Sequence, residues 1–190
     1  MLRQFIWHLI AKLINPVYAT RRLGVRVGEG CRICPASFGG EPWLVSIGHR
    51  VTVAPKVVFL THDGATWLIR DDRGRRYRYG RIDIGNDVFV GYGAIIMPGV
   101  RIGNRVIVGA GSVVTRSVPD GCIVAGNPAR VIARYSDYEH RALETFGVMD
   151  PQSKASFRAK INGIVEPDFL PPLPIPDTLS TTPARTAPPA

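Results

Sequence analysis

Residues 82–116 read IDIGNDVFVGYGAIIMPGVRIGNRVIVGAGSVVTR, with a branched aliphatic at every sixth position: Ile84, Val90, Ile96, Ile102, Val108 and Val114. Gly85, Gly91, Gly103 and Gly109 each follow one of these. A beat of six suits neither the 3.6-residue period of a helix nor the two-residue alternation of an ordinary strand. It suits a solenoid, in which a short flat β stretch and a bend repeat until the chain winds into a coil. The residues four after each beat are Val88, Ala94, Val100, Val106, Ser112 and Val118. They are small or branched, as a narrow interior demands.

Toward the N-terminus the same beat holds Val27 and Ile33, slips by two residues at Gly39-Gly40, and continues through Ile47, Val53 and Phe59. Glycines together with Asn86 and Asn104 fall in the bends, where positive φ is expected. The beat stops at Thr61 and resumes at Ile84. The intervening THDGATWLIRDDRGRRYRYGR (61–81) holds a His, a Trp, two Tyr and six Arg. That is too much chemistry for a spacer, and long loops inside compact folds are usually functional or disordered.

The chain divides into four regions. Residues 1–22 hold an amphipathic helix, LRQFIWHLIAKLI over 2–14, ended by Asn15-Pro16. It packs on the solenoid or a neighbouring subunit, or lies along a membrane surface with Trp7 and Lys12 as anchors. Residues 23–134 form the coil, closed over its open edge by PDGCIVAGNPARVIAR. Residues 135–165 are helical, with Ser136 or Asp137 as N-cap. Residues 166–190, rich in Pro, Thr and Ala, form a disordered tail.

The 190 residues leave room for one domain plus tails, and 45% apolar content supplies a continuous core. No stretch approaches the roughly 20 apolar residues that cross a bilayer. A formal charge of +9 favours anionic partners, among them phosphorylated cofactors and acidic sugars. No nucleic-acid-binding signature is present. Cys31, Cys34 and Cys122 give an odd count with no disulfide framework, which favours a reducing compartment and hence the cytoplasm.

The string IGNDVFVGYGAIIMPGVRIGNRVIVGAGSVVTRSVPDGCIVAGNPARVI resembles the C-terminal coils of hexapeptide-repeat acyltransferases. Within that superfamily it looks most like the maltose, galactoside and xenobiotic acetyltransferases and the polysaccharide O-acetyltransferases. The likeness covers about residues 23–134, including FGGEPWLVSIG and FLTHDG. It implies an all-β fold, a left-handed parallel β-helix of triangular section with three hexads per coil. It also implies a homotrimer with active sites between subunits, acetyl-CoA as donor, and a saccharide or sugar-nucleotide acceptor.

Moving an acetyl group from a thioester to a hydroxyl needs a base, and a positioned imidazole contributes about 10²–10⁴-fold. His8 and His140 belong to terminal helices and His49 to a bend. His62 opens the excursion loop, and its place in FLTHDG matches the family's catalytic histidine. A carboxylate is expected to orient it: Asp63 is adjacent, while Glu41 in the slip could approach in space, or could bind the acceptor instead. By resemblance, Tyr92, Ala110, Thr115, Arg116 and Arg130 fall at CoA-contacting positions, with the Tyr92 N–H a candidate for the oxyanion. Arginine suits phosphates because its fork makes paired hydrogen bonds. The family often has Trp where Phe89 stands and Ser where Tyr92 stands.

A zinc hydratase on the same scaffold needs three imidazoles, two of them in an H-x₄-H pair that the chain lacks, so no metal is expected. The expectation is therefore an acetyl-CoA-dependent O-acetyltransferase acting on a saccharide in surface or exopolysaccharide assembly. The alternatives are an N-acetyltransferase on an amino sugar nucleotide and a non-catalytic assembly module.

Overall fold

The computed structural model describes residues 15–165 and Leu170. The helix expected over 2–14 and the tail from Glu166, apart from Leu170, lie outside the described residues. The described chain divides after Glu144 into two compact units. The first is a left-handed parallel β-helix of three flat faces.

Face one stacks residues 26–27, 45–47, 82–84 and 101–102 in parallel, with Val118 bridged to Ile102 above them. Face two stacks 32–33, 52–53, 89–90, 107–108 and 122–125. Face three stacks 58–59, 95–96 and 113–114, with Ser37 bridged to Val58 below. The beat positions lie in register, so Ile47, Ile84 and Ile102 form one interior column, and Val53, Val90, Val108 and Val124 another. Phe59 lies beside Ile96, which lies beside Val114. All are buried, as are Val51, Val57, Val88, Ala94, Val100, Val106 and Ser112 from the second set. Each fully buried aliphatic contributes about 1.5–3 kcal/mol. Phe38 stacks on Phe59 at 5.1 Å beneath the slip.

The glycines after the beats let the coils approach closely. A Cβ on Gly85 would stand 2.7 Å from the Gly103 carbonyl carbon, and one on Gly48 would stand 2.5 Å from the Gly85 oxygen. Asn86 and Asn104 serve differently from the expectation. Positive φ falls on the residues after them, Asp87 (57°) and Arg105 (53°). The amides instead form a column along the corner between faces one and two. The His49 N–H donates to Asn86 Oδ1 (2.8 Å), the Asn86 N–H to Asn104 Oδ1 (2.9 Å), and the Asn104 N–H to Asp120 Oδ1 (2.9 Å). Each side chain satisfies a backbone donor that the bend exposes, which is what short polar side chains do in turns.

Helix α1 (Pro16–Arg22) begins at the Asn15-Pro16 dipeptide, and Asn15 is extended, with φ of −168°. Asn15 accepts hydrogen bonds from the N–H groups of Val17 and Tyr18, and Pro16 sits in the first turn. Proline lacks only a donor that the first turn leaves unpaired, so it is well placed to start this helix. At the other end, Cys122–Ala125 pairs antiparallel with Arg130–Arg134. The expected capping segment thus adds one more strand, with Val131 and Ile132 exposed between arginines. Helix α2 (Tyr135–Thr145) begins at the next residue, so Asp137 lies in its first turn and neither it nor Ser136 precedes the helix as a cap.

The excursion has its own structure: a 3₁₀ turn at Gly64–Leu68 and a small hairpin pairing Arg70–Asp71 with Gly74–Arg75. Its legs are tied by a bridge between His62 and Tyr79 and by the Gly80 N–H donating to the Thr61 carbonyl (2.8 Å). In the second unit, helix α3 (Phe157–Asn162) is capped by Ser156, which accepts from the Ala159 N–H.

Candidate active site

The slip and the excursion fall at the same corner, between faces three and one, on adjacent coils. Gly39 takes a φ of 66°, and a Cβ there would meet Thr61 Oγ1 at 2.6 Å, so glycine is what lets the slip fold under the excursion. The slip carries Glu41 to the foot of the loop. Thr61, fully buried, donates its hydroxyl to Glu41 Oε2 (2.6 Å), and the same oxygen stands 2.9 Å from His62 Nδ1.

The Thr61 hydrogen bond, and then the His62 one, hold the Glu41 carboxyl below its ordinary value against a smaller opposing effect of burial. An ionised carboxylate only accepts. The neutral imidazole therefore carries its proton on Nδ1 and presents the Nε2 lone pair, the form a general base needs. The His62 side chain is 48% exposed while Glu41 is 18% exposed, so the partner is sheltered and the ring is open to a substrate. Asp63 is occupied elsewhere: it accepts from the Ala65 N–H (3.0 Å) and faces Arg78 at 3.6 Å. Of the two carboxylates read from sequence, Glu41 is the one on His62.

Tyr79 and Thr61 were not singled out in the sequence. Tyr79 holds its ring 5.8 Å from that of His62. Thr61 falls two residues after the beat position Phe59, off the register of the beat; the signal that finds it is a hydroxyl directly before the loop histidine.

The five expected CoA residues do not gather in one place. Arg116 and Arg130 line one cavity of about 260 Å³ with Val114, Ser117 and Val131. Thr115 and Arg116 stand on the same corner column as His62, two coils further along. Tyr92 and Ala110 stand on the other edge of face three, stacked so that the Gly111 N–H donates to the Tyr92 carbonyl (2.8 Å). At about 3.3 Å per residue, the six residues from Tyr92 to the far corner span roughly 20 Å. Within one chain the Tyr92 N–H and His62 therefore lie a face apart. Lys56, unremarked in the sequence, stands with its Nζ 5.3 Å from the Tyr92 ring centre and adds a cation to that edge.

The other histidines have local partners. His49 Nδ1 accepts from the Glu29 N–H (3.1 Å), and His140 pairs with Glu144 (3.2 Å) in α2. Phe89 faces outward on face two, in a cavity of about 490 Å³ lined also by Arg50, Thr52 and Tyr138.

Residues 81–116 match the family described as bacterial transferase hexapeptide (six repeats). The chain is 50% identical over 127 residues to protein CapG of Staphylococcus aureus, a match covering 65% of this chain and 74% of that protein. It is 30% identical over 148 residues to a galactoside O-acetyltransferase of Lactococcus lactis, covering 65% of this chain and 70% of the relative. Among solved structures, a hexapeptide-repeat containing acetyltransferase of Vibrio cholerae shares the fold. The TM-score is 0.51 at 24% identity, over 63% of this chain and 78% of that one.

Proposed function

Since this chain belongs to the hexapeptide-repeat acyltransferases and is an acyltransferase, we propose that it moves an acetyl group from acetyl-CoA to a saccharide hydroxyl, with His62 as general base. The observation that carries this reading is the Thr61–Glu41–His62 arrangement, which fixes the imidazole tautomer and leaves Nε2 open. A sugar acceptor is supported by the galactoside O-acetyltransferase likeness and by a basic, aromatic loop beside the imidazole.

His62 Nε2 takes the proton of the acceptor hydroxyl as that oxygen attacks the thioester carbonyl carbon. The carbon–sulfur bond then breaks, and the departing thiolate takes the proton back from Nε2. During the transfer the ring is cationic, and the Glu41 carboxylate beside Nδ1 stabilises it. No acyl-enzyme forms, so Cys31, Cys34 and Cys122 have no part.

Acetyl-CoA would lay its phosphates against Arg116 and Arg130, whose guanidinium forks suit them. The separation of His62 from Tyr92 and Ala110 favours a homotrimer in which the Tyr92 edge of one chain meets the His62 edge of the next. Such an enzyme would act in the cytoplasm on intermediates of surface or exopolysaccharide assembly.

The test is His62→Ala, assayed by thiol release from acetyl-CoA with saccharide acceptors bearing hydroxyls only or an amine. The expected result is a loss of about 10²–10⁴-fold with the trimer intact by light scattering. Wild-type turnover in the variant refutes the assignment, and transfer to the amine alone moves the reaction to N-acetylation.

A further inference from the structure

The excursion loop carries more planar groups than a base needs, and they stand in a row. From the His62 ring the centroid of Tyr79 is 5.8 Å away, and Tyr77 stacks on Tyr79 at 6.4 Å and 9°. The Arg75 guanidinium lies 4.6 Å from the Tyr77 ring and 4.3 Å from the Trp67 ring. Each step is comparable with one pyranose unit, and the contacts link the imidazole to Trp67 one group at a time. The rings do not close a core: Tyr79, Tyr77 and Trp67 are 54%, 62% and 58% exposed.

The charge around the row is distributed unevenly. Arg73 and Arg76 pair with Asp71, and Arg78 faces Asp63. Arg70, Arg75 and Arg81 have no carboxylate partner among the described residues. Arg70 also lies over Trp67, at 5.7 Å. The Nε of Arg75 is buried against its neighbours with no acceptor, an unsatisfied donor of the kind that needs an explanation.

The exposed surface of these rings offers apolar ground for the C–H faces of sugars, while the guanidinium groups stacked on Tyr77 and Trp67, which have no carboxylate partner among the described residues, suit acid oxygens. We infer that the loop from His62 to Tyr79 is a binding arm for an anionic oligosaccharide. Successive sugar units lie along Tyr79, Tyr77 and Trp67, and one hydroxyl near the inner end reaches His62. This deepens the saccharide-acceptor reading and rests on it. A nucleotide sugar would use one ring for its base and leave the remainder of the row without purpose, so the extended occupant is favoured.

The experiment uses the full-length protein without acetyl-CoA, so that it reads binding whether or not transfer occurs. Oligogalacturonates of one to four units are titrated by calorimetry, with maltotetraose and UDP-glucose as comparisons. Affinity should rise roughly tenfold from monomer to tetramer, and maltotetraose should bind more weakly than the acidic tetramer. Trp67→Ala should remove most of that length dependence, and Trp67→Phe should restore it, which separates a lost platform from a misfolded loop. Equal affinity for one and four units, UDP-glucose binding tighter than the acidic tetramer, or length dependence unchanged in Trp67→Ala overturns the inference. If chain-length-dependent binding is found but no saccharide is acetylated, the arm stands and the reaction assignment fails.

Discussion

Replacing Glu41 by Gln tests whether the carboxylate acts through His62 or on the acceptor. Gln is nearly isosteric, and its carbonyl oxygen can take the place of Oε2, accepting from Thr61 and from the Nδ1–H of the ring. What is lost is the negative charge facing the imidazolium of the transition state. A hydrogen bond to a charged group contributes about 1.5–3 kcal/mol. The His62 side chain is 48% exposed, so solvent screens part of this and the lower end applies. About 1.5–2 kcal/mol corresponds to a roughly 10- to 30-fold loss in kcat/KM. The loss should appear in kcat, with the KM for the acceptor little changed, because the interaction strengthens only when the ring is charged. Glu41→Ala should lose more and should also destabilise the fold, since the fully buried Thr61 hydroxyl is left without its acceptor, at about 1–3 kcal/mol. Thiol release from acetyl-CoA gives the kinetics, and the ¹⁵N shifts of the ring nitrogens report the tautomer directly. A Glu41→Gln enzyme within twofold of wild type refutes the positioning role. A raised acceptor KM at unchanged kcat instead makes Glu41 an acceptor ligand.

Arg116→Ala and Arg130→Ala, which share one cavity, should each raise the KM for acetyl-CoA by about tenfold, and the effect should shrink at high salt; an unchanged KM removes them from the donor site. Gly85→Ala should destabilise the coil by about 1–3 kcal/mol in urea titration, because its Cβ would meet backbone at 2.7 Å, whereas Gly64→Ala, with nothing within 4 Å, should move the midpoint far less. The Glu41 carboxyl is held below its ordinary value of 4.5 in the folded state, so it adds stability above that pH and loses it as pH falls through the depressed value. The stability gap between wild type and Glu41→Gln should therefore be constant near neutrality and close below about pH 4.5; a gap that widens in acid contradicts the Thr61–Glu41 contact.

The interior was legible in the sequence because it obeys one rule at every turn. Ile84, Ile102 and their like must be buried and in register, and a period fixed by coil geometry shows as a period in the chain. The bends obey a rule that spans coils, which is harder to see. Asn86 and Asn104 look like residues chosen for their own backbone, yet each accepts the N–H of the bend one coil below, and the positive φ passes to Asp87 and Arg105. Only the register between coils reveals that. Asn15-Pro16 told only part of its story, for a local reason. Proline disfavours a helical conformation in the residue before it and suits the first turn of a helix beginning with it, so a dipeptide read for the helix before it also starts the helix after it.

The site was legible wherever it interrupts the beat. Within a β-helix every backbone group of the rungs is paired and the interior is full, so a side chain free for chemistry must stand at a corner or leave the coil. The slip at Gly39-Gly40 and the break at Thr61 are two such departures, and one coil of separation puts Glu41 beneath His62. Thr61 stayed hidden because it does both jobs: fully buried like a beat residue, it spends its hydroxyl on the carboxylate. The same corner logic explains why the residues proposed for the donor do not converge in one chain. Arg116 and His62 share one edge of face three while Tyr92 and Ala110 share the other, and a full strand separates the edges. A flat rung cannot bend to bring them together, which is the reason the proposed homotrimer sets the Tyr92 edge of one chain against the His62 edge of the next.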